Sequence, residues 1–378
     1  MKIGIVSATY RPSRNGVATS TALLVRGLRG LGHEVRVFVP GHPEAEPEPG
    51  VYRLPSTLFG APRDYPVLLP LPPQMSARLP LGDLDIIHAM HPFVAGRTAL
   101  LWARRLHRPL VFTAHTQYHS YVHYAPTPAG LTRWAIKGHV RLFAQRADLV
   151  LAPGRAMVET LRGYGYHGAV SVIPNPVDLA AFGALEAGRV RRAHGVPAGA
   201  PLLVYLGRLA PEKNLPALLA AFGQVQAARS DCRLLLVGDG PSRAALEAQA
   251  KGLPVLFAGA VGYEEVPHYL GAADLFVTAS TSEVLPMTFL ESLAAGTPLA
   301  VAASPAAADL VEPGVNGLCG AADPASLAGT VLAALEPERL DALRRGARAS
   351  AARFEVNRVS AALAAHYGRL VEERLAVA

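Results

Sequence analysis

Two runs in the second half of the chain bring cations, carboxylates and glycine together at spacings that suit a phosphorylated ligand. Gly207-Arg208-Leu209-Ala210-Pro211-Glu212-Lys213-Asn214 follows a short apolar segment and precedes a helical one. Arg208 and Lys213 leave that strand end five residues apart, and two cations so placed can clamp a diphosphate. The sequence holds 4 lysines against 32 arginines, so Lys213 reads as a compact point charge in a chain that otherwise prefers arginine. Glu283-Val284-Leu285-Pro286-Met287-Thr288-Phe289-Leu290-Glu291 is the more informative run. Glu283 ends a strand-to-helix loop, and Glu291 lies eight residues on, within the helix. The residues between them open that helix, where free N–H groups can point at phosphate oxygens. Carboxylates suit sugar and ribose hydroxyls, which they bind as acceptors. Arg208 and Lys213 offset acid placed near a phosphate.

The first half offers Thr113-Ala114-His115-Thr116 after a strand. A histidine there can face a ligand as a polar contact or proton handler. His88 and His91 sit at another strand end and are expected to line the same region. Asn15-Gly16 lies between the first strand and its helix, where glycine lets backbone approach a ligand and the helix start favours an anion. Gly238-Asp239-Gly240-Pro241 resembles part of a dinucleotide turn without the full GxGxxG pattern. His119 and His123 are four apart, but no HExxH frames them, and no GxSxG, Walker loop or CxxC is present. No metal site is expected. The two cysteines, Cys232 and Cys319, make neither a metal cluster nor a disulfide framework, so a reducing compartment is expected.

These residues need a scaffold that alternates strands and helices. In the first half, strands are expected at Lys2–Ala8, Glu34–Val39, Ile86–His88, Leu110–Thr113, Leu149–Leu151 and Ser171–Ile173. Helices fit at Val17–Leu31, Ala95–Leu106 and Ala129–Gln145. The second half restarts the pattern, with strands at Leu202–Leu206, Arg233–Val237, Val255–Phe257, Leu275–Thr278 and Leu299–Ala302. Its helices are expected at Leu215–Ala228, Arg243–Ala250, Glu264–Gly271 and Thr288–Ala295. The repetition predicts an α/β protein of two doubly wound Rossmann-like domains with parallel sheets. The expected domains are 1–178 and 179–378, with the last helix a candidate to pack back on the first. Ligands of such folds sit at strand carboxyl ends, so a cleft between two facing domains is the expected site. Tyr65–Ala77, 13 uncharged residues rich in proline, departs from the pattern. Its prolines argue against a helix or central strand, leaving an extended connection or an apolar loop that touches lipid.

The 378 residues are 51% hydrophobic and 17% charged, which suits about two folded domains and argues against disorder. The net charge of +7 is unevenly placed. Residues 1–180 carry 19 Lys+Arg and 10 Asp+Glu, whereas 181–378 carry 17 and 19. The first half should therefore meet an anionic partner. No run is long and apolar enough to span a bilayer, and the start of the chain reads as a strand rather than a signal peptide. The expected location is the cytoplasm, with peripheral association at the inner face of the cell membrane.

Taken in order, Asn15-Gly16-Val17, Thr113–His115, Pro174-Asn175-Pro176-Val177-Asp178, Gly207-Arg208…Lys213-Asn214, Gly238–Pro241 and Glu283…Glu291 with Ala294-Ala295-Gly296-Thr297-Pro298 resemble glycosyltransferase family 4 over nearly the whole chain. The resemblance implies the two-domain GT-B fold and retaining transfer of a sugar from a nucleotide diphosphate donor, without a metal or other cofactor. It implies that Arg208 and Lys213 hold the diphosphate and that Glu291 binds the ribose. Glu283 would contact the transferred sugar, with amides of Leu285, Met287 and Thr288. Val261 would fall where backbone holds the base, Gly16 would approach the diphosphate from the other domain, and His115 would be the active-site histidine. Many members have glycine three residues after the first glutamate. Here it is Pro286, which lacks an N–H and bears on sugar preference.

The stretch His115–Tyr124 looks like that of bacterial diacylglycerol glucosyltransferases, although His119 and Ser120 replace the acidic residues usual there. His91, Tyr118, His119 and Tyr121 are accordingly expected on the acceptor side. The leading expectation is transfer of a hexose, from UDP-glucose or a related donor, to a membrane lipid such as diacylglycerol. A family 4 transferase with a sugar-phosphate or inositol-phosphate acceptor, such as a mannosyltransferase, is the alternative, and a nucleotide-sugar epimerase of the same fold is a third. Nucleic acid is not an expected partner, since no RNP, zinc-finger or helix-turn-helix pattern is present.

Overall fold

A computed structural model describes residues 1–58, 66–118 and 128–377. The chain divides into two compact units, Met1–Pro176 with Val356–Ala378, and Val177–Glu355.

The first unit is built on seven parallel strands: β1 (Lys2–Val6), β2 (Glu34–Pro40), β3 (Val51–Leu54), β6 (Ile86–Ala89), β7 (Leu110–Thr113), β8 (Leu149–Ala152) and β9 (Ser171–Val172). A separate antiparallel ribbon pairs β4 (Ser56–Thr57) with β5 (Val67–Leu68). The sheet order is β3-β2-β1-β6-β7-β8-β9. The chain thus starts in the middle, winds outward one way, and restarts beside β1 to wind the other way. Its helices are α1 (Gly16–Gly30), α2 (Pro73–Ser76), α3 (Val94–Leu106), α4 (Ala129–Ala144) and α5 (Arg155–Gly163).

The second unit repeats the scheme in six parallel strands: β10 (Leu202–Leu206), β11 (Arg233–Val237), β12 (Val255–Gly259), β13 (Leu275–Thr278), β14 (Leu299–Ala302) and β15 (Gly317–Gly320), in the order β12-β11-β10-β13-β14-β15. Helices α6 (Ala187–Ala193), α7 (Leu215–Ala228), α8 (Arg243–Gln249), α9 (Val266–Ala272), α10 (Met287–Ala295), α11 (Pro305–Leu310), α12 (Pro324–Ala334) and α13 (Pro337–Ala351) accompany them. The long final helix, α14 (Val356–Val377), belongs to the first unit.

Burial explains the central strands. All five residues of β10 and all four of β6, β7, β13 and β14 are buried. Parallel strands covered on both faces read as continuous apolar runs. Helix α1 is capped by Asn15, whose side-chain oxygen accepts from the Ala18 N–H at 2.9 Å. It lies close against α14, since a Cβ on Gly27 would stand 2.1 Å from Ser360 Oγ. Val359, Leu363 and Tyr367 of α14 join Ile3, Ile5 and Val37 in one apolar core.

Several elements depart from expectation. Helices α11, α12 and α13 open with Pro305, Pro324 and Pro337. Proline reads as a breaker in sequence but suits the first helical position, whose N–H has no intrahelical partner. The same effect divides the stretch expected as one helix at Glu264–Gly271. A 3₁₀ turn at Tyr263–Glu265 precedes α9, which carries Pro267 in its first turn. The proline tract is not purely extended either. Leu68 pairs with Ser56, and Pro73 opens the single turn of α2. Ser76 Oγ there accepts from the indole N–H of Trp102 at 3.2 Å. Tyr65 lies outside the described residues.

Candidate active site

Each sheet has one place where strand order reverses, between β1 and β6 and between β10 and β13. Loops leaving neighbouring strands there diverge to opposite sides, which opens a crevice for ligands.

In the second unit the loops after β10, β11 and β12 are tied backbone to backbone. Gly207 donates to Val237, Leu209 to Asp239, Ser242 to Leu209 and Gly238 to Gly259, all at 2.8–2.9 Å. Glycine is required for this approach. A Cβ on Gly238, whose φ is +135°, would stand 1.9 Å from the Gly207 carbonyl oxygen. Arg208 is thereby held on a braced turn, its side chain exposed, and its carbonyl accepts from the Tyr205 hydroxyl at 3.0 Å. Lys213 ends a 3₁₀ turn, and Asn214 in the left-handed region starts α7. Lys213 Nζ reaches across the reversal point to Glu283 Oε1 at 2.6 Å. Each of these side chains is 19% exposed. Ser280 Oγ donates to the same carboxylate oxygen at 3.2 Å. The cation and the carboxylate therefore neutralise one another 70 residues apart in sequence.

Pro286 immediately precedes α10 with φ −68°, which its ring prefers. Met287 and Thr288 are the first two helical residues, so their N–H groups precede the intrahelical ladder and favour an anion. Glu291 lies one turn further, 3% exposed, and burial pushes its carboxyl up to about 7. Gly296, in the left-handed region, ends the helix. Val261 is half-buried in the loop after β12, and Leu285 and Met287 are buried.

In the first unit Gly16 is exposed as the first residue of α1. Asn15 Nδ2 donates to Thr9 Oγ1 at 2.8 Å, fixing the loop before it. His91 Nδ1 accepts from the Ala8 N–H at 3.1 Å, a bond that spans the reversal between β1 and β6. Burial lowers His91 to about 4 and, with His91 and His88 nearby, His115 to about 3. His115 Nε2 is buried with no hydrogen-bond partner among the described residues. Tyr118 packs edge-on against Phe93, which stacks on His139.

Two family models match in tandem. The model for Glycosyltransferase Family 4 covers residues 14–181, and that for Glycosyl transferases group 1 covers 187–351. The alpha-monoglucosyldiacylglycerol synthase of Streptococcus pneumoniae is 33% identical over 82% of this chain and 73% of its own length. The chain belongs to glycosyltransferase family 4. A GDP-mannose-dependent alpha-mannosyltransferase of Corynebacterium glutamicum is 30% identical over 84% of this chain and 76% of its own length. Among solved structures, the sucrose-phosphate synthase of Thermosynechococcus elongatus superposes with a TM-score of 0.80 over 99% of this chain and all of its own, at 21% identity. Anabaena HepE in complex with UDP and glucose gives 0.78 over 98% of this chain and all of its own, at 20% identity. The fold is thus that of the GT-B glycosyltransferases.

Within this family 4 chain, the loop after β10 with Lys213 meets the loop after β13 with Ser280 and Glu283 at one reversal point, just before α10, whereas Val261 lies in the loop after β12, two strands from β10 in the sheet. Sequence reasoning missed Ser280, which a lone serine gives no reason to single out, and Tyr205, hidden in an apolar strand. His88 is a correction. It lies inside β6 at 1% exposure, with both ring nitrogens within hydrogen-bond distance of Tyr367 and Thr113, so it belongs to the core rather than to the ligand-facing surface. His119 and Tyr121, like His123, lie outside the described residues. Among the described residues no group of three or more His, Cys, Asp or Glu could hold a metal ion.

His115→Ala is expected to lower turnover about 100-fold with the melting temperature within a few degrees of the parent, since the Nε2 edge holds no described partner. Because His115 is neutral down to about pH 3, the parent should show no acid limb in turnover near pH 6.5 from this ring. A pH profile of kcat together with a melting curve checks both.

Proposed function

We propose that this family 4 glycosyltransferase moves a hexose from a nucleotide diphosphate sugar to a membrane lipid acceptor such as diacylglycerol, with retention at the anomeric carbon. The observation that carries the donor half is the cluster at one strand reversal of Arg208, the Lys213–Glu283 pair and the opening turn of α10. Arg208 and Lys213 take the diphosphate, helped by the amides of Met287 and Thr288 with Leu285 before them. Glu291 takes the ribose hydroxyls, backbone near Val261 the base, and Glu283 the hydroxyls of the sugar. In the first unit Gly16 would approach the diphosphate, and His115 would meet the sugar at its Nε2 edge, which has no hydrogen-bond partner among the described residues. His91 and Tyr118, with His119 and Tyr121, belong to the acceptor side.

In this reading the acceptor hydroxyl attacks the anomeric carbon on the face that the diphosphate leaves. The new C–O bond forms as the bond to the diphosphate breaks, and the hydroxyl proton passes to a leaving phosphate oxygen. The protein's part is positioning and electrostatic stabilisation of the departing diphosphate. The experiment is incubation with a panel of nucleotide sugars, with and without lipid extracts, identifying released nucleotide and product by mass. Turnover that needs lipid supports the reading, whereas full turnover on sugar phosphates alone overturns the lipid part. The similarity to GDP-mannose-dependent enzymes makes GDP-mannose the comparison donor.

The lipid part is supported by charge. Residues 86–147 carry eight Lys and Arg and no Asp or Glu. On α3 and α4, Leu101 is 65%, Leu131 61% and Trp134 73% exposed. Basic helices that expose large apolar side chains suit an anionic lipid surface. No helix among the described residues is long and apolar enough to cross a membrane, so the association would be peripheral. Of the two tryptophans, Trp102 is only 4% exposed, so a fluorescence blue shift on adding phosphatidylglycerol vesicles would report Trp134. Trp134→Ala is expected to weaken vesicle binding about tenfold, the loss of roughly one buried aromatic side chain. Equal sedimentation with anionic and neutral vesicles would sink the membrane part.

A further inference from the structure

The final helix reaches the carboxyl end of the first-unit sheet through one side chain. Tyr367 of α14 is fully buried, and its hydroxyl lies 2.6 Å from His88 Nδ1. His88 Nε2 lies 2.7 Å from Thr113 Oγ1. A neutral imidazole has one N–H, so one ring nitrogen donates and the other accepts, and the three side chains form one polarised string. Burial holds the ring neutral, lowering His88 to about 3.

Filling this core would need only apolar side chains. Burying a phenol, an imidazole and a hydroxyl is favourable only when every polar atom is matched, and a matched network fixes one geometry. The place is what gives that geometry a use. Thr113 ends β7, and His115 follows two residues later. His88 is in β6, and His91 follows its end by two residues. The His88–Thr113 bond therefore ties together the two strand ends that carry His91 and His115, and Tyr367 sets the plane of the ring that makes the bond.

We propose that Tyr367 is a positioning residue for the transfer reaction, acting through His88 and Thr113 to hold His115 in place. The proposal rests on the reading of His115 given above. The chain's last helix then serves turnover as well as stability, although it follows the whole donor-binding unit in sequence.

The test uses the full chain with UDP-glucose and diacylglycerol vesicles, and three variants. Tyr367→Phe removes only the hydroxyl, Thr113→Val removes the other end of the string at nearly constant shape, and Thr113→Ser keeps it. Tyr367→Phe and Thr113→Val should each lower kcat about tenfold, the scale of a small misplacement, with donor KM unchanged. Thr113→Ser should stay near the parent. The double variant should be no slower than the slower single, because both cut one path. Parent kcat in Tyr367→Phe, equal losses in Thr113→Ser and Thr113→Val, or multiplied losses in the double variant would each overturn the proposal. If Tyr367→Phe fails to fold, the valine and serine pair at position 113 decides. Histidine ring resonances give a readout without activity: Tyr367→Phe should shift His115 as well as His88, and an unmoved His115 overturns the idea. Lost kcat in His115→Ala beside parent kcat in Tyr367→Phe removes only the positioning role. Parent kcat in His115→Ala removes the site reading and this proposal with it.

Discussion

Lys213→Ala should abolish most donor use, with kcat/KM falling at least about 100-fold, the scale of losing one preorganised donor to a developing anion. The reason lies in the partner as well as the lysine. Lys213 Nζ stands 2.6 Å from Glu283 Oε1, and both side chains are largely buried. Removing the ammonium deletes a cation and leaves a carboxylate, still held by Ser280, beside the position proposed for the diphosphate. The local charge then opposes the ligand. Removing one partner of such a pair costs more than the pair contributes, because the other charge is stranded. Adding Glu283→Gln to Lys213→Ala should therefore restore donor affinity by about tenfold, roughly 1.4 kcal/mol, even though it removes a second candidate site residue. Lys213→Arg should not rescue, since a planar guanidinium does not reproduce a compact ammonium at a short single contact. Titration of each variant with a nucleotide sugar measures the order. Parent affinity in Lys213→Ala would remove the residue from the site.

Glu291→Gln is expected to make the protein more stable and a poorer binder. The carboxyl is buried in α10, and burial lifts it to about 7 from an ordinary 4.5. The folded state thus holds this proton more tightly than the unfolded state. Folding takes the proton up between about pH 4.5 and 7, so this group's contribution falls as pH rises through that window and is fully unfavourable above it. The shift corresponds to an upper limit of about 3 kcal/mol at pH 8. Glutamine has nothing to ionise, so the variant should melt about 5 °C or more above the parent at pH 8 and with it at pH 4.5. Binding moves the other way. A carboxylate that accepts from ribose hydroxyls binds best when ionised, so parent affinity for a nucleotide sugar should rise with pH up to about 7 and then level off. The variant should bind more weakly with no such dependence. Calorimetric melting and titration from pH 5 to 8 measure both. A buried acid kept at a cost in stability is the pattern of a functional group, and a variant less stable than the parent at pH 8 would contradict it.

The strands that position these residues were readable from local pattern. Leu202–Leu206 is an unbroken apolar run followed by Gly207, and Leu275–Thr278 is three apolar residues closed by a threonine, and the structure has both with the same ends. The helix carrying Glu291 was readable too, because Gly296 stops it with a left-handed cap. What escaped reading had weak or misleading local signals. Strand β15, Gly317-Leu318-Cys319-Gly320, exists because β14 offers an edge, not because its residues favour a strand. Helices opened by Pro305, Pro324 and Pro337 look like breaks when proline is read without its position. His88 looked like a ligand-facing residue because it closes an apolar run, and only its neighbours show both nitrogens already engaged.

The sequence by itself determined the repeated strand–helix alternation, the basic, acid-free stretch of the first half, and the residue types gathered in the Arg208–Lys213 and Glu283–Glu291 runs. These follow from periodicity and charge over a few neighbouring residues, which act locally. The tertiary structure decided what those residues do to one another. Lys213 and Glu283, 70 positions apart in sequence, meet because β13 lies beside β10. Glu291 becomes hard to ionise only once α10 is covered. Tyr367 reaches His88 across 279 residues because α14 lies against the first sheet. Pairing, desolvation and buried hydrogen bonds depend on what surrounds a side chain after the chain has closed, and no local pattern carries that.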